Sequence, residues 1–229
     1  MIVAIDGPAG SGKSTVARAL AAREHLTYLD TGAMYRAVTC AALERGVDVA
    51  DAAAVAGLAR ELDIDLVAGS DGERLRIDGQ DRTAQIRTPE VDANVSAVAA
   101  VPEVREAMVA LQRRAAEAGD VVAEGRDIGT VVFPNAEVKV FLTADPSARA
   151  RRRAVQRAGG DTATDAGATA DSSETAAIEA ELVARDRADS TRATSPLRPA
   201  DDAVHIDSTD LTVEGVCDRI ARLMEEARR

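Results

Sequence analysis

The sequence predicts an α/β protein built on a parallel sheet that is flanked by helices. Short β-branched runs alternate with longer segments of helical spacing, and the glycine-rich turn GPAGSGKS at residues 7–14 follows the first run. Alternating strands and helices are typical of a parallel sheet. Within residues 51–105 a hairpin pattern interrupts the alternation. This interruption indicates an inserted subdomain.

The first two strand–helix pairs can be read directly from the chain. IVAI is a short β-branched run that ends at Asp6, and the helix after it places Val16, Leu20 and Ala21 at helical spacing. LTYLD predicts the second strand, and TGAMYRAVTCAALERG predicts the second helix, with Gly46 as its stop. Runs of this length bounded by turn residues are typical of buried strands.

The segment from about 51 to 105 has a different pattern. LDIDLV and ERLRIDG alternate around a glycine-bearing turn and predict an antiparallel hairpin. Thr88 and Pro89 then predict the cap and the first residue of a helix.

Regular α/β order resumes after residue 105. DVVAEGRD and EVKVFLTAD predict strands, Asp145 and Pro146 predict a helix start, and AVHID and TVEGVCDRIARLMEEARR predict a last strand and helix. The stretch 158–175 contains no arginine or lysine and is rich in Gly, Ala, Thr and Asp. It predicts a flexible connection, with a small acidic segment on a helix as the alternative.

Composition limits the class of protein. The 229 residues carry a formal charge of −11 and no apolar run near the length of a membrane span, and only 2% are aromatic. We expect a soluble protein of a reducing compartment, with no signal peptide and with no nucleic-acid or membrane partner. The two cysteines, Cys40 and Cys217, are far apart and predict buried core thiols rather than a metal site or a disulfide.

The glycine-rich turn matches the phosphate-binding pattern G-x-x-x-x-G-K-[ST] through Gly7, Gly12, Lys13 and Ser14. Glycines let backbone N–H groups surround phosphates, and the N-terminus of the following helix favours that negative charge. Lysine at this position reaches the outer phosphates, and the serine hydroxyl is placed to hold Mg²⁺. Lys13 and Lys139 are the chain's only lysines. We therefore predict a P-loop NTPase-type sheet that binds ATP.

Several kinds of P-loop protein can be compared with the sequence. A GTPase switch needs an N-K-x-D motif, which neither lysine supplies, and a motor or helicase needs nucleic-acid contacts that the acidic charge opposes. A small-molecule kinase remains. A kinase for another nucleotide or for a metabolite hydroxyl, and a non-catalytic ATP-binding regulator, stay open as alternatives.

Arginines mark the expected acceptor site. Arg36, Arg126 and Arg192 follow predicted strands or close a predicted helix, and guanidinium groups match phosphate oxygens. The run RARRRAVQR at 149–157 predicts either a solvated basic helix face or a lid over the transferred phosphoryl group. Phosphoryl transfer requires alignment and charge stabilisation more than a general base. We therefore expect Asp6, Asp30 and Asp127 to be structural or to bind substrate or water.

The phosphate loop, DTGAMYR, IRTPEV, VREAM, EGRDIGTVVFP, VKVFL and RDRADSTR together resemble the bacterial cytidylate kinase family over residues 2 to about 225. The resemblance implies an ATP-dependent (d)CMP kinase of pyrimidine nucleotide metabolism that works with Mg²⁺, in the cytoplasm and as a monomer. It implies a core at about 1–50, 105–148 and 190–229, an inserted CMP-binding subdomain at about 51–104 and a lid at about 149–189.

The same resemblance assigns residues to each substrate. The ATP-binding residues are Gly7, Pro8, Ala9, Gly10, Ser11, Gly12, Lys13, Ser14 and Thr15. The CMP-binding residues are Thr31, Tyr35, Arg36, Ser96, Arg105, Arg126, Asp127, Arg185, Asp189 and Arg192, with threonine at 31 where the family commonly has serine. Lys13 and Arg126 are the expected catalytic residues, Ser14 the expected Mg²⁺ ligand, and Arg149 and Arg153 the lid candidates.

Overall fold

The computed structural model describes residues 1–69, 72–117, 119–158 and 172–229. Its contacts divide the chain into two compact units. The first consists of Met1–Tyr28 with Ala118–Arg229, and the second consists of Leu29–Glu117. The predicted insert at 51–104 falls within the second unit, and the predicted lid at 149–189 falls within the first. The roles of these segments as separate subdomains stay predictions.

The described residues form eight strands and eight α-helices. In chain order these are β1 (Ile2–Asp6), α1 (Lys13–Glu24), β2 (Thr27–Asp30), α2 (Thr31–Glu44), α3 (Ala52–Glu61), β3 (Ile64–Gly69), β4 (Gly72–Ile77), β5 (Gln80–Asp81), α4 (Pro89–Val98), α5 (Pro102–Ala115), β6 (Val121–Gly125), β7 (Val138–Thr143), α6 (Pro146–Arg157), α7 (Ser172–Ser190), β8 (Val204–Asp207) and α8 (Val213–Ala227). A 3₁₀ turn spans Gln85–Arg87, and a π-helical turn spans Ile128–Val132.

A five-stranded parallel sheet in the order β2-β6-β1-β7-β8 confirms the predicted fold class, and all of it except Leu29 and Asp30 of β2 lies in the first unit. β1 pairs in parallel with β6 and with β7, so that Asp6 lies level with Gly125 and Phe141. The carboxyl ends of β1, β6 and β7 therefore meet at one edge, the edge where open α/β sheets bind ligands.

Apolar packing fixes α1 and α8 on this sheet. Val16 and Leu20 of α1 and Ile220 of α8 belong to one buried cluster with Val3 and Ile5 of β1. Burying an aliphatic side chain of this size contributes about 1.5–3 kcal/mol, so this cluster holds β1 and the start of α1 in place. The loop between them, residues 7–12, is consequently anchored at both ends.

The second unit contains α2 to α5 and a three-stranded antiparallel sheet in the order β3-β4-β5. Ile64 pairs with Ile77, and Leu66 pairs with Leu75, which confirms the predicted hairpin. The predicted helix start at Thr88 is also confirmed, because the Thr88 hydroxyl accepts a hydrogen bond from the Val91 N–H at 3.4 Å and Pro89 is the first helical residue.

The structure differs from the sequence predictions in three places. Helix α3 was not predicted; Asp51 caps it by accepting a hydrogen bond from the Ala54 N–H at 3.0 Å. The flexible connection predicted for 158–175 is wrong at residues 172–175, where α7 has begun with Glu174 in its first turn, a position that acidic side chains favour. The rest of that prediction, 159–171, lies outside the described residues.

The third difference concerns the start of α6. Asp145 is at the predicted cap position and Pro146 is the first helical residue, but the Asp145 side chain makes no capping hydrogen bond. The Asp145 N–H instead donates to the Thr209 hydroxyl at 2.9 Å. This backbone contact joins the start of α6 to the loop after β8, and it does not replace the missing side-chain cap. The two cysteines are free and buried, which confirms that prediction.

Candidate active site

The loop between β1 and α1 can form only with glycine at two of its positions. A Cβ on Gly7 would lie 2.1 Å from the Leu142 carbonyl oxygen, and a Cβ on Gly10 would lie 3.1 Å from the Cβ of Arg149. Both glycines and Gly12 also have positive φ angles, which L side chains rarely adopt. The loop therefore packs directly on β7 and α6 at the carboxyl edge of the sheet.

The first turn of α1 offers donors to an anion. Its cap residue, Gly12, provides no side-chain hydrogen bond, and no acidic residue lies in the first turn. The Ser11 hydroxyl in the same loop is buried and has no hydrogen-bond partner among the described residues. An uncapped helix N-terminus with a glycine-rich backbone in front of it favours a phosphate group.

Lys13 begins α1 and is buried, with 6% of the residue exposed. Its Nζ donates a hydrogen bond to the Pro8 carbonyl oxygen at 2.7 Å, so the ammonium lies across the phosphate loop. Burial and, after it, the positive charge of Arg126 lower the pKa of Lys13 from 10.5 to about 7. Glu124, Asp6 and Asp186 act in the opposite direction. A negatively charged group bound next to Lys13 would favour the protonated form of the lysine.

Because Lys13 is buried, we expect it to lower the free energy of unfolding by an amount that depends on pH. Its folded pKa of about 7 lies below the ordinary value of 10.5, so between these pH values the unfolded chain binds more protons and wild-type stability rises with pH. Lys13→Met removes this titration. We expect the stability advantage of the variant over wild type to be largest at pH 7 and below, and to shrink by up to about 1.4 kcal/mol per pH unit above it.

Denaturant unfolding of both proteins at several values between about pH 7 and 9.5 measures the difference, within the window given by the linkage relation. Lys139→Met is the matched control, because the Lys139 Nζ pairs with the exposed Asp202 at 2.7 Å. A difference between Lys13→Met and wild type that stays constant across this range would contradict the assigned pKa.

Asp6 at the end of β1 organises the chain that follows β6. Its two carboxylate oxygens accept hydrogen bonds from the N–H groups of Ile128 and Gly129, each at 2.7 Å. Burial raises the pKa of the Asp6 carboxyl to about 6, against the effect of these two hydrogen bonds. Asp6 therefore fixes the π-helical turn and, with it, the position of the preceding Arg126 and Asp127. Asp30 is likewise structural, since it caps α2 by accepting from the Ala33 N–H.

Two predicted arginines share one buried carboxylate. The Arg126 Nε donates to Asp189 Oδ2 at 3.0 Å, and the Arg192 Nη2 lies 2.8 Å from Asp189 Oδ1. Asp189 is 3% exposed. Since each guanidinium is held through one edge by the same carboxylate, the two forks are oriented together. Arg185 lies one turn earlier on α7, and Arg153 donates within α6 to the Gln156 side chain at 2.7 Å.

Three side chains hold the backbone of the phosphate loop, and sequence reasoning selected only one of them. Arg149 Nη1 donates to the Ala9 carbonyl oxygen at 3.0 Å, and Asp186 Oδ1 accepts from the Ala9 N–H at 3.2 Å. The Ser208 hydroxyl donates to the Ser11 carbonyl oxygen at 3.0 Å. Of these, Arg149 was expected as a lid residue, whereas Asp186 and Ser208 were not selected. The position of Asp186 inside RDRADSTR was the only available signal.

Glu124 is a further buried carboxylate in the first unit that sequence reasoning missed. It is 5% exposed and accepts a hydrogen bond from the Tyr28 hydroxyl at 2.6 Å. It also raises the pKa of Lys13, so it lies close enough to stabilise that charge. Its place in EGRD, directly before the predicted Arg126, is the signal that could have found it.

The second unit groups the predicted residues of α2, α4 and α5. The Arg105 guanidinium lies over the Tyr35 ring at 5.2 Å, and Arg105 Nη1 donates to the Ala99 carbonyl oxygen at 3.1 Å. Arg36 forms an ion pair with Asp92. Thr31 is buried one turn before Tyr35 on α2, and Ser96 lies one turn after Asp92 on α4. These contacts orient two arginines within this unit.

A glycine-rich phosphate loop with a buried lysine, at the carboxyl edge of a parallel sheet, defines a P-loop nucleotide-binding protein. The Cytidylate kinase family matches residues 3–226. The chain is 47% identical to the cytidylate kinase of Exiguobacterium sibiricum, covering 98% of this chain and 97% of that protein. It is 46% identical to the cytidylate kinase of Streptomyces avermitilis, covering 100% of this chain and 94% of that protein. The chain belongs to the cytidylate kinase family.

A longer relative also matches. The bifunctional pantoate ligase/cytidylate kinase of a Synechococcus species is 51% identical over 97% of this chain, which spans 44% of that protein. Among the described helices, none has the length and hydropathy to cross a membrane.

Proposed function

We infer that the chain transfers the terminal phosphoryl group of ATP to CMP or dCMP and forms ADP with CDP or dCDP. The observation that carries this inference is the phosphate loop with its buried Lys13, in a chain that matches the cytidylate kinase family over residues 3–226. Such a reaction supplies pyrimidine nucleoside diphosphates.

The phosphate loop is proposed to bind ATP. Its glycine backbone and the uncapped start of α1 would surround the phosphates, and the orphaned Ser11 hydroxyl supplies a further polar group in the loop. Lys13 would leave the Pro8 carbonyl oxygen and bind the outer phosphates as a point charge. The full proposed set is Gly7, Pro8, Ala9, Gly10, Ser11, Gly12, Lys13, Ser14 and Thr15.

Mg²⁺ fits this donor set only in company with the nucleotide. The described residues contain no group of three or more His, Cys, Asp or Glu side chains able to hold a metal ion. Mg²⁺ is commonly bound through few protein oxygens together with substrate phosphates. The Ser14 hydroxyl in the first turn of α1 would supply the protein oxygen. When bound with ATP, Mg²⁺ offsets negative charge on the phosphates.

We propose contacts to the acceptor nucleotide for each unit by itself. In the first unit Arg126 and Arg192, oriented by Asp189, are proposed to bind its phosphate, with Arg185 nearby on α7. In the second unit the proposed contacts are Thr31, Tyr35, Arg36, Ser96 and Arg105. A guanidinium group can donate two parallel hydrogen bonds to phosphate oxygens, which suits arginine to this role.

The reaction follows from charge and alignment. A phosphate oxygen of CMP forms a bond to the γ-phosphorus of ATP, and the bond from that phosphorus to the bridging oxygen breaks as ADP leaves. The attacking phosphate oxygen is already anionic, so no side chain has to remove a proton. Lys13 and Arg126 would stabilise the charge on the transferred group. Arg153 is proposed as a lid residue over that group. Arg149, the other lid candidate, already contacts the phosphate loop at Ala9, so we propose that it acts there.

A coupled assay that follows ADP release tests this function. ATP is offered with CMP, dCMP, UMP, AMP and GMP in turn. Release stimulated by CMP or dCMP supports the proposal, and release with another acceptor supports a kinase of different substrate class. Release with none of the acceptors supports an ATP-binding regulator.

The cytoplasmic location, the monomeric state and the lack of a nucleic-acid partner stay predictions.

Asp127 is proposed to help select cytosine. The residue is 4% exposed and lies directly after Arg126. An ionised carboxylate can only accept hydrogen bonds, which suits the exocyclic amino group of cytosine and not the carbonyl of uracil. We propose Ser96 and Arg105 as further base contacts. Asp127→Asn should therefore lower kcat/KM for CMP by about 10-fold or more, and should change kcat/KM for UMP much less.

Steady-state kinetics with both acceptors measures the ratio of the two kcat/KM values. Asp120→Asn provides a matched control at an exposed aspartate of the first unit, where the carboxylate bonds the amino terminus. An equal loss with CMP and UMP in Asp127→Asn would show that the carboxylate orients the site without reading the base.

A further inference from the structure

One residue of the phosphate loop is held through both of its backbone polar groups. Asp186 accepts a hydrogen bond from the Ala9 N–H at 3.2 Å, and Arg149 donates to the Ala9 carbonyl oxygen at 3.0 Å. Asp186 and Arg149 also form an ion pair with each other. We name these three residues the Ala9 clamp. It joins helices α6 and α7 to the loop that receives ATP.

The clamp is largely buried and closely packed. The side chain of Arg149 is 7% exposed and that of Asp186 is 18% exposed. Gly10, next to Ala9, approaches the Arg149 backbone so closely that an added Cβ would lie 3.1 Å from its carbonyl oxygen. Since the loop and α6 leave so little space between them, a shift of Arg149 has to move the loop.

The same turn of α7 also holds Arg126 and Arg192, the arginines proposed to bind the phosphate of the acceptor nucleotide. Asp189 follows Asp186 by three residues, which places both on one side of the helix. Asp186 contacts the phosphate loop, whereas Asp189 pairs with Arg126 and Arg192. Residues 186–189 thus connect the ATP loop with the side chains proposed to bind the CMP phosphate.

We propose that Asp186 is a positioning residue for ATP, acting through Ala9 and Arg149. The proposal rests on the function inferred above. Asp186 does not touch the reacting atoms in this assignment. Its carboxylate sets the path of the loop and adds negative charge near Lys13, whose pKa it raises.

Asp186→Asn tests the clamp with little change in shape. The amide keeps one oxygen for the Ala9 N–H but loses the charge that pairs with Arg149, so a buried guanidinium loses its counter-ion. We expect the Kd and KM for ATP to rise by about 10-fold or more, and the KM for CMP to change by less than about 3-fold. Titration calorimetry with ATP alone gives the Kd.

The same α6–α7 interface offers a matched control. Glu181 on α7 pairs with Arg157 on α6 at 2.7 Å, and both side chains are largely exposed. Glu181→Gln removes a carboxylate from the same helix without touching the phosphate loop. We expect its ATP affinity to stay within about 2-fold of wild type, as is usual for an exposed ion pair.

A double variant separates positioning from general destabilisation. If Asp186 and Arg149 act as one unit, Asp186→Asn combined with Arg149→Met should weaken ATP binding by about as much as the larger single change. Unchanged ATP affinity in Asp186→Asn would overturn the proposal. An equal rise in both KM values with a lower Tm would overturn it too, since that pattern indicates a structural role only.

The calorimetric measurement keeps this proposal separate from the proposed function. ATP binding needs no acceptor, so a loss of ATP affinity in Asp186→Asn supports the clamp even in a chain that phosphorylates another nucleotide. Conversely, if the chain phosphorylates CMP but its ATP affinity is unchanged in Asp186→Asn, the proposed function stands and the proposed role of the clamp is excluded.

Discussion

Lys13→Met should lower kcat by about 10²- to 10³-fold while the KM for CMP stays within about 3-fold of wild type. The ammonium is buried and lies across the phosphate loop, where it donates to the Pro8 carbonyl oxygen. We expect it to stabilise charge that develops on the transferred phosphoryl group. An interaction made mainly in the transition state affects kcat more than ground-state binding.

Methionine keeps the length and the apolar stem of lysine, so the variant isolates the charge. The control is Lys139→Met, which removes the chain's other lysine from a pair with the exposed Asp202. Steady-state kinetics with saturating ATP and CMP measures kcat for both variants. Turnover of Lys13→Met within threefold of wild type would falsify the catalytic role of Lys13.

The parts of the site that follow from the sequence are local in the chain. Gly7, Gly12 and Lys13 lie within seven residues of one another, and the strand before them and the helix after them are encoded by adjacent runs. The steric requirement for glycine at the loop comes from its close packing, but its signature is a short pattern. Such short-range signals can be read without tertiary information.

The missed residues depend on contacts between distant parts of the chain. Asp186 bonds the N–H of Ala9 from 177 residues away, and the Ser208 hydroxyl bonds the Ser11 carbonyl oxygen from 197 residues away. Nothing in the local pattern of α7 separates Asp186 from its exposed neighbours Arg187 and Ala188. Only the packing of α6 and α7 on the phosphate loop gives that carboxylate its partner.

The shifted pKa values of Lys13 and Asp6 could not be predicted from the sequence either. The motif indicates that Lys13 meets phosphates, but its pKa of about 7 results from burial and from the charge of Arg126. The raised pKa of Asp6 also results chiefly from burial. Desolvation depends on which elements cover a side chain, so it is a property of the tertiary structure.

Arg126→Met should reduce kcat/KM for CMP by on the order of 10³-fold. Arg126 is placed at the carboxyl end of β6 by the Asp6 contacts to the next turn, and its Nε is held by Asp189 at 3.0 Å. One edge of the guanidinium is thereby fixed, so we expect the opposite edge to serve the phosphate groups. Removing it would take away both a charge and a defined pair of donors.

Arg126→Lys separates these two contributions. It keeps the positive charge but cannot donate to Asp189 and to a phosphate through one planar group, so we expect it to remain at least about 10-fold below wild type. Arg23→Met is the matched control, because Arg23 pairs with the exposed Asp218 on α8. Full activity of Arg126→Lys would reduce the role of Arg126 to a simple positive charge. Full activity of Arg126→Met would show that Arg126 takes no part in the reaction. Its contact with Asp189 would then only help to hold α7 in place.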